Sequence, residues 1–404
     1  MIQQEYSIYL KTAQGLRGAY LNDVISVEIT FRWNTVTKWT MTGSGLNGCP
    51  LGKGSEIIIY RGESPFLSGY VTSIEDSYNA VTGIYDWTVD GEDDLGKLAW
   101  RVVYPDPADA DVQIPGTVYS ETGHLTDLLL DAISANICYN ANLSNRRIST
   151  LTVRVNDHAG DEITITSEYD KLWDFVKKQL EDRSFGIRSV WNGETGISTI
   201  ELYTPHDVST TVVFSVEAGS LSGWSRKRTA PKGNVILVTG VEVTNEEDDG
   251  TGEWQTVMVQ DTDSISQWGR RELRIKHSDI KPIIEKDDEG EIIYTEPWES
   301  VQEKLEQAAL NDLIDNSAKD SYELQIVELD RMQYKVHWDL GDIVSVRVAD
   351  TEMTAPIMEI KISYAGGIET ISPAIGELQR GELESIFNDL GALKENVKIL
   401  QSGM

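Results

Sequence analysis

Between Tyr334 and Gly376 the chain reads YKVHWDLGDIVSVRVADTEMTAPIMEIKISYAGGIETISPAIG, with apolar and polar residues alternating over much of its length. Tyr334, Val336 and Trp338 alternate with Lys335, His337 and Asp339, the two-residue period of a half-buried strand. Leu340-Gly341-Asp342 turns the chain into IVSVRV. In IMEIKISY the alternation places Ile357, Glu359, Lys361 and Ser363 on one face and Met358, Ile360, Ile362 and Tyr364 on the other. Ala365-Gly366-Gly367 then marks a hairpin into IETISP. The pattern predicts a small all-β barrel over residues 321–376.

The first hundred residues carry the same period. ISVEITFRW, KWTMTG, SEIIIYRG, FLSGYVTSIEDSY and IYDWTVDGEDDL are five strand-like runs with Gly and Asn clusters at their ends. They predict a barrel or sandwich over residues 1–100, completed by residues 206–225. Pro105, Pro107, Pro115 and Gly116 break the pattern and mark a boundary. Beyond it, His124 to Asn136 places Leu125, Leu128, Leu129 and Ile133 on one helical face, with Thr122 as the N-cap candidate. A second helix from Tyr169 to Asp182 buries Leu172, Trp173, Phe175, Val176 and Leu180. FGIRSVW and STIELYT, joined at Asn192-Gly193, form a hairpin, so residues 101–205 read as an α+β insertion.

From Thr210 the chain is β again, through TTVVFS and WSRKRTAPKGNVILVTG. Residues 226–320 hold two hairpin arms, GVEVTN with WQTVMVQ around Asp248-Asp249-Gly250, and IKPIIEK with EIIYTE around Asp287-Asp288-Glu289-Gly290. A helix follows from Glu296 to Asn316, with Pro297 in its first turn and Val301, Leu305, Ala308, Ala309 and Leu313 on its apolar face. In residues 377–404, Leu383, Ile386, Leu390, Leu393, Val397 and Leu400 recur at alternating steps of three and four. That is a short coiled-coil seam, permissive of trimers and too short to be stable outside an assembly.

With 404 residues, 40% hydrophobic and 25% charged, the chain has material for several cores and the composition of a globular protein. No run approaches the about 18 apolar residues of a membrane span. The start, MIQQEYSIYLKTAQG, lacks a secretory signal, so synthesis in a cytoplasm is expected. A net charge of -31 argues against sequence-specific nucleic-acid binding, which needs clustered cations. It suits either a solvated surface or a negative lumen to which DNA does not adhere. Cys49 and Cys138 lie in different expected domains, which speaks against a disulfide or a sulfur-rich metal site.

Candidate chemistry is sparse. His124, His158, His206, His277 and His337 are scattered without partners at metal-ligand spacing, and His206-Asp207 has no nucleophile motif beside it. The acidic clusters at 92–94, 246–249 and 287–291 lack the alternating oxygen ligands and closing Glu of a calcium loop, and read as surface turns. Trp33, Trp39, Trp87, Trp173 and Trp338 sit at core-facing positions, leaving Trp254 or Trp268 for contacts. No catalytic residue, metal ligand or cofactor is expected.

The layout resembles the tail-hub proteins of long-tailed bacteriophages and phage-tail-like particles. The resemblance rests on Phe31-Arg32-Trp33-Asn34, the Trp39 strand, the IIIY edge, Phe66 to Gly69, the acidic end at Asp90 to Asp94, Arg226 to Asn234 leading into VILVTG, and the closing Pro373-Ala374-Ile375-Gly376. It implies a mainly β chain with two tube-like β-barrels, an α+β insertion and a C-terminal coiled-coil helix. It further implies a homotrimeric ring at the distal end of a virion's tail, assembled in the host cytoplasm. The ring would match a six-fold tube to a three-fold tip. Implied partners are a tail-tube or distal tail protein, a tape-measure protein, and a tail fibre, spike or receptor-binding protein. Many members carry a peptidoglycan-cleaving or fibre-binding extension; a chain ending at Met404 is expected to lack lytic activity. The alternatives are a cell-wall hydrolase and a carbohydrate-binding adhesin of the tail tip.

Overall fold

A computed structural model of the chain describes residues 5–108, 118–155, 158–180, 184–240, 254–286, 292–294, 296, 298–348 and 351–376. The chain divides into two units, Met1–Ser225 with Tyr322–Gly376, and Arg226–Ser321 with Glu377–Met404.

In the first unit the early alternation becomes β1 (Tyr6–Lys11), β2 (Arg17–Tyr20), β3 (Val24–Arg32), β4 (Thr35–Gly45), β5 (Glu56–Arg61), β6 (Ser64–Asn79) and β7 (Ile84–Asp93). They run in the order β3-β4-β7-β6-β5-β1-β2, every pair antiparallel. Two reciprocal pairs pin β4 to β7. Trp39 lies opposite Gly91 and Trp87 opposite Gly43. A Cβ at either glycine would sit 1.9 Å from the facing indole, so each ring occupies the space that the missing side chain leaves.

The α+β insertion holds β8 (Tyr119–His124), α1 (Leu125–Ile137), β9 (Leu151–Val153), β10 (Glu162–Ser167), α2 (Leu172–Leu180), β11 (Gly186–Trp191) and β12 (Ser198–Tyr203). Both helices bury the faces their spacing predicts, against the sheets β10-β8 and β11-β12-β9. The expected cap differs. Thr122 lies within β8, its hydroxyl 2.8 Å from that of Thr164, and the N-cap position belongs to His124, which makes no side-chain capping bond.

The chain then forms β13 (Val213–Ser215) and β14 (Leu221–Thr229). The second unit follows with β15 (Val235–Gly240), β16 (Trp254–Gln260), α3 (Thr262–Trp268), β17 (Glu272–Lys276), β18 (Ile284–Lys286), β19 (Ile292–Tyr294) and α4 (Trp298–Asp315). Here β15 is central between antiparallel β16 and parallel β17. Val301, Leu305 and Ala309 of α4 pack with Ile236 and Val238. Asn234 anchors the entry to β15: its side-chain amide donates to the Gly269 carbonyl at 2.8 Å and its oxygen accepts from the Arg271 amide at 2.7 Å. β18 and β19 pair as the second arm. The tips of both arms, including residues 246–249 and 287–291, and the whole coiled-coil seam from Leu383 through Ile386, Leu390, Leu393 and Val397 to Leu400, lie outside the described residues.

The last strands are β20 (Lys319–Ile326), β21 (Ile343–Val348), β22 (Thr351–Ala365) and β23 (Ile368–Gly376). With β13 and β14 they repeat the order of the first set. β3-β4-β7-β6-β5-β1 has its counterpart in β14-β20-β23-β22-β21-β13, with the same succession along the chain. Register repeats as well. In β6 the first half pairs with β5 and the second with β7; β22 divides between β21 and β23 in the same way. Each long strand breaks register at the equivalent place, between Val71 and Ser73 and between Ile357 and Glu359. Such bulges bend a strand and let it serve two neighbours. One pairing differs, since β1 is antiparallel to β5 whereas β13 is parallel to β21.

The expectation of two separate barrels is revised by a direct ladder between the sets. β3 pairs antiparallel with the second half of β22, from Ser26 opposite Ala365 to Arg32 opposite Glu359. Thirteen strands therefore form one sheet, and neither set closes on itself among the described residues. They share one core, in which Val27, Ile29, Trp39 and Met41 meet Phe214, Trp338, Ile360 and Ile362. The exposed edges of β3 and β22 satisfy one another's backbone groups. Residues 206–225 also pair differently from the expectation, β13 with β21 and β14 with β20, so they extend the later set.

Two local expectations fail for backbone reasons. Residues 334–339 form no strand: Lys335 has φ 68°, the Lys335 amide donates to the Trp338 carbonyl, and the chain folds into a turn. Tyr334 and Trp338 are buried with ring centres 4.9 Å apart, while Val336 is 68% exposed. In β22 the bulge turns Ile357 inward, so it is buried together with Ile360 and Ile362, although strict alternation puts it on the opposite face.

Candidate functional site

The acidic end of β7, expected as a surface turn, is a buried ion-pair site of the first unit. Asp93 ends the strand and caps the 3-10 turn Asp94–Trp100, accepting from the Leu95 amide. Asp94 is 0% exposed. Lys97, one turn on, places its Nζ 2.8 Å from Asp94 and 2.8 Å from Glu56 of β5. Lys11 of β1 places its own Nζ 3.1 Å from Asp94 and 3.2 Å from Glu56. Ser68 of β6 and Ser198 of β12 both donate to Asp94 Oδ2. Two ammonium groups thus face two carboxylates, and two hydroxyls fill the remaining acceptor sites, as buried charge requires.

The electrostatics divide the two neighbouring aspartates. For Asp94 burial acts to raise the pKa, but Lys11 and Lys97 outweigh it and hold the carboxyl below its usual range. Among the described residues no ion pair reaches Asp93. Burial pushes it up to about 7, with the adjacent Asp94 charge adding to the shift and hydrogen bonds from Thr37 and Leu95 opposing it. The cluster has no open face at Asp94, and it binds β1, β5, β6 and the insertion together.

A second charged cluster joins the first strand set to the last. Arg61 of β5 donates to Glu369 of β23 through Nε at 2.6 Å and Nη2 at 2.7 Å, and to Glu328 at 2.6 Å. Tyr6 donates its hydroxyl to Glu369, and Glu328 accepts the Tyr334 amide at 2.7 Å. Arg32 and Glu359 pair across the β3–β22 ladder. Arg188 of β11 bridges Glu201 at 2.6 Å and Asp339 at 3.4 Å, tying the insertion to the Leu340-Gly341-Asp342 turn. Gly341 there has φ 89° and lies under Trp33, where a Cβ would come within 2.1 Å of the indole.

A cleft of about 290 Å³ opens between the first strands, β11 and this turn, lined by Phe31, Arg32, Asp93, Arg188, Trp191 and Lys335 among others. Its cations are engaged, Arg32 with Glu359, Arg188 with Glu201, and Lys335 with Asp339.

His124 and His158 come together, with ring centres 6.4 Å apart, while the other three histidines lie elsewhere. His277 Nε2 lies 2.9 Å from Asp312, His158 pairs with Asp127, and His124 Nδ1 lies 3.0 Å from the Gly160 carbonyl. The His206 amide donates to Asp342, and His337 Nδ1 accepts the Gln333 amide. Asp207 accepts from Ser209, so the adjacent His206 and Asp207 do not form a dyad. Among the described residues no group of three or more His, Cys, Asp or Glu is placed to hold a metal ion, and no helix is long and apolar enough to cross a membrane. Both cysteines are free, and burial pushes the Cys138 thiol up to about 12. Trp39, Trp87, Trp173 and Trp338 are buried as expected. Trp268 is half-buried, and the Trp254 side chain lies outside those described.

The family model of the Siphovirus ReqiPepy6 Gp37-like proteins matches residues 8–377. The chain belongs to that family. No curated protein matches the sequence. Among solved structures, the 43 kDa tail protein of prophage MuSo2 from Shewanella oneidensis superposes with a TM-score of 0.58 at 12% identity, covering 92% of this chain and 98% of its own. The tail protein from Neisseria meningitidis MC58 gives 0.55 at 10% identity, with 92% and 96% covered. The fold of this Gp37-like protein is therefore that of phage tail proteins, along nearly its whole length, and the resemblance read from the sequence holds at that level. Both buried charge clusters lie inside the matched region. Lys11, Glu56 and Lys97 escape sequence reasoning because they are far apart along the chain. The one local signal is the three-residue step from Asp94 to Lys97.

Proposed function

We propose that this chain is a structural hub at the distal end of a siphovirus tail. Three copies would form a ring that adapts a six-fold tail tube to a three-fold tip. The observation that carries the reading is the duplicated strand order, down to equivalent bulges in β6 and β22. Two alike strand sets per chain let three chains present six alike surfaces, which a six-fold tube requires. Family membership and the tail-protein fold support it. The net charge of -31 suits a lumen through which DNA slides without binding. On this reading the neighbours are a tail-tube or distal tail protein, a tape-measure protein and a fibre, spike or receptor-binding protein. The chain itself is not an enzyme, and residues 377–404 supply a helical seam to the trimer.

Light scattering on the purified chain, alone and with tail-tube protein, tests the reading together with gold labelling of virions. A three-copy mass and label confined to the tail tip are expected. A chain that stays monomeric at high concentration, or label spread along the tube, overturns it.

A further inference from the structure

The β3–β22 ladder joins the two strand sets within one chain, and the repeat gives that joint a second half. The counterpart of β3 is β14, and the counterpart of β22 is β6. In β22 the first half pairs with β21, and the second half accepts β3 on the edge opposite β23. In β6 the first half likewise pairs with β5, but from Ser73 to Asn79 the strand has, among the described residues, β7 as its only ladder partner. β14 ends the sheet, with β20 as its one neighbour in the order among the described residues. The chain thus carries a strand shaped like β3 at one end and an acceptor edge shaped like that of β22 at the other.

We infer that β14 of one copy pairs antiparallel with residues 73–79 of β6 in the next copy, repeating between chains the joint that β3 and β22 make within one. This rests on the reading of the chain as a ring-forming tail component. Charge supports the match. The internal joint sets Arg32, at the end of β3, beside Glu359, at the start of the accepting half of β22. In the joint between copies the end of β14 carries Arg226, Lys227 and Arg228, a basic run in a chain of net charge -31. The start of the accepting half of β6 carries exposed Glu75 and Asp76. Opposite charges facing across strands favour pairing, and like charges oppose it. Both edges also bear exposed aromatic surface, Trp224 at 41% and Tyr78 at 55%, which a partner would cover. The two edges differ, so the contact is head-to-tail, the kind that generates a ring where the rotation between copies closes.

A charge swap in the full-length chain tests this. Ser225→Glu with Lys227→Glu sets two carboxylates on one face of β14 against the acidic acceptor and cancels the net charge of the run, Arg226 and Arg228 remaining on the other face; Glu75→Lys with Asp76→Lys makes the acceptor basic against a basic β14. Each double variant is expected to sediment at the mass of one chain, 45.1 kDa, with an unchanged thermal melt. The quadruple variant sets the new carboxylates of β14 against the new lysines of β6 and is expected to regain the parent's assembled mass. Hydrogen exchange on the parent should show amides at 73–79 slowing at least tenfold on assembly. A parent that assembles while both double variants assemble equally well, or a folded quadruple variant that stays dissociated, overturns the edge pairing and leaves the hub reading standing. A parent that is monomeric at every concentration overturns both.

Discussion

Adjacent carboxyl groups at Asp93 and Asp94 have their pKa values shifted in opposite directions, because burial acts on both while Lys11 and Lys97 reach only Asp94. The consequence for stability has a definite sign. Asp93, raised from 3.8 to about 7, stabilises the fold fully below the unfolded value, and that contribution is lost as pH rises through 7. Asp94, depressed, stabilises above the unfolded value and loses its contribution only as pH falls through its low folded pKa. Asp93→Asn keeps an acceptor for the Leu95 amide and removes the titration. Denaturant unfolding should then lose its downward slope between pH 4 and 7, and the variant should exceed the parent at pH 8 by on the order of a few kcal/mol. Asp94→Ala leaves two buried ammonium groups facing Glu56 alone and should cost about 3–5 kcal/mol in the same measurement at pH 7. Residue identity announced the acidic cluster in the sequence but not its burial, because the lysines that permit burial come from β1 and from the turn beyond β7.

At the scale of elements, local pattern and local structure agree closely. All five strands expected in the first hundred residues form, and both insertion helices bury the faces that their spacing sets. β1 and β2 complete the set on one side. The failures lie where the backbone leaves the regular period. Lys335 in the left-handed region turns Val336 out to solvent while Tyr334 and Trp338 stay buried, and the bulge at Met358 brings Ile357 inward. Neither departure has a signature in the order of apolar and polar residues. The reciprocal Trp–Gly pairs make a sharper demand on sequence. Gly91→Ala would push a methyl into the Trp39 ring and should lower stability by about 1–3 kcal/mol, readable as a reduced denaturation midpoint with unchanged slope. Gly83→Ala, with nothing within 4 Å of its Cβ but φ at 72°, reports the backbone cost alone.

For the whole molecule, two strand sets with the same order and register meet in one sheet, and Arg61, Glu328 and Glu369 fasten them a second time through buried ion pairs. Assembly is the property to test at this scale. On the proposed reading, Leu390→Asp with Leu393→Asp would place carboxylates in the trimer's helical seam, where unpaired burial is costly. Light scattering should show a weakened trimer for this variant and for removal of residues 377–404. Full assembly and full retention of the tip component by both would remove the seam from the mechanism and leave the sheet edges to carry association.

Alternation and helical spacing sufficed to place most strands and the principal helices, since they record which side chains must leave water. They also carried enough of the layout to point to a phage-tail protein. Which strands pair was decided only in the folded chain. β3 could have closed a barrel with its own set, yet it pairs with β22, more than three hundred residues away, where its edge and its Arg32 find a matching edge and Glu359. The same distance explains the buried lysine–carboxylate cluster. A charge can be buried only where partners from separate strands converge, and that convergence is a property of the tertiary structure.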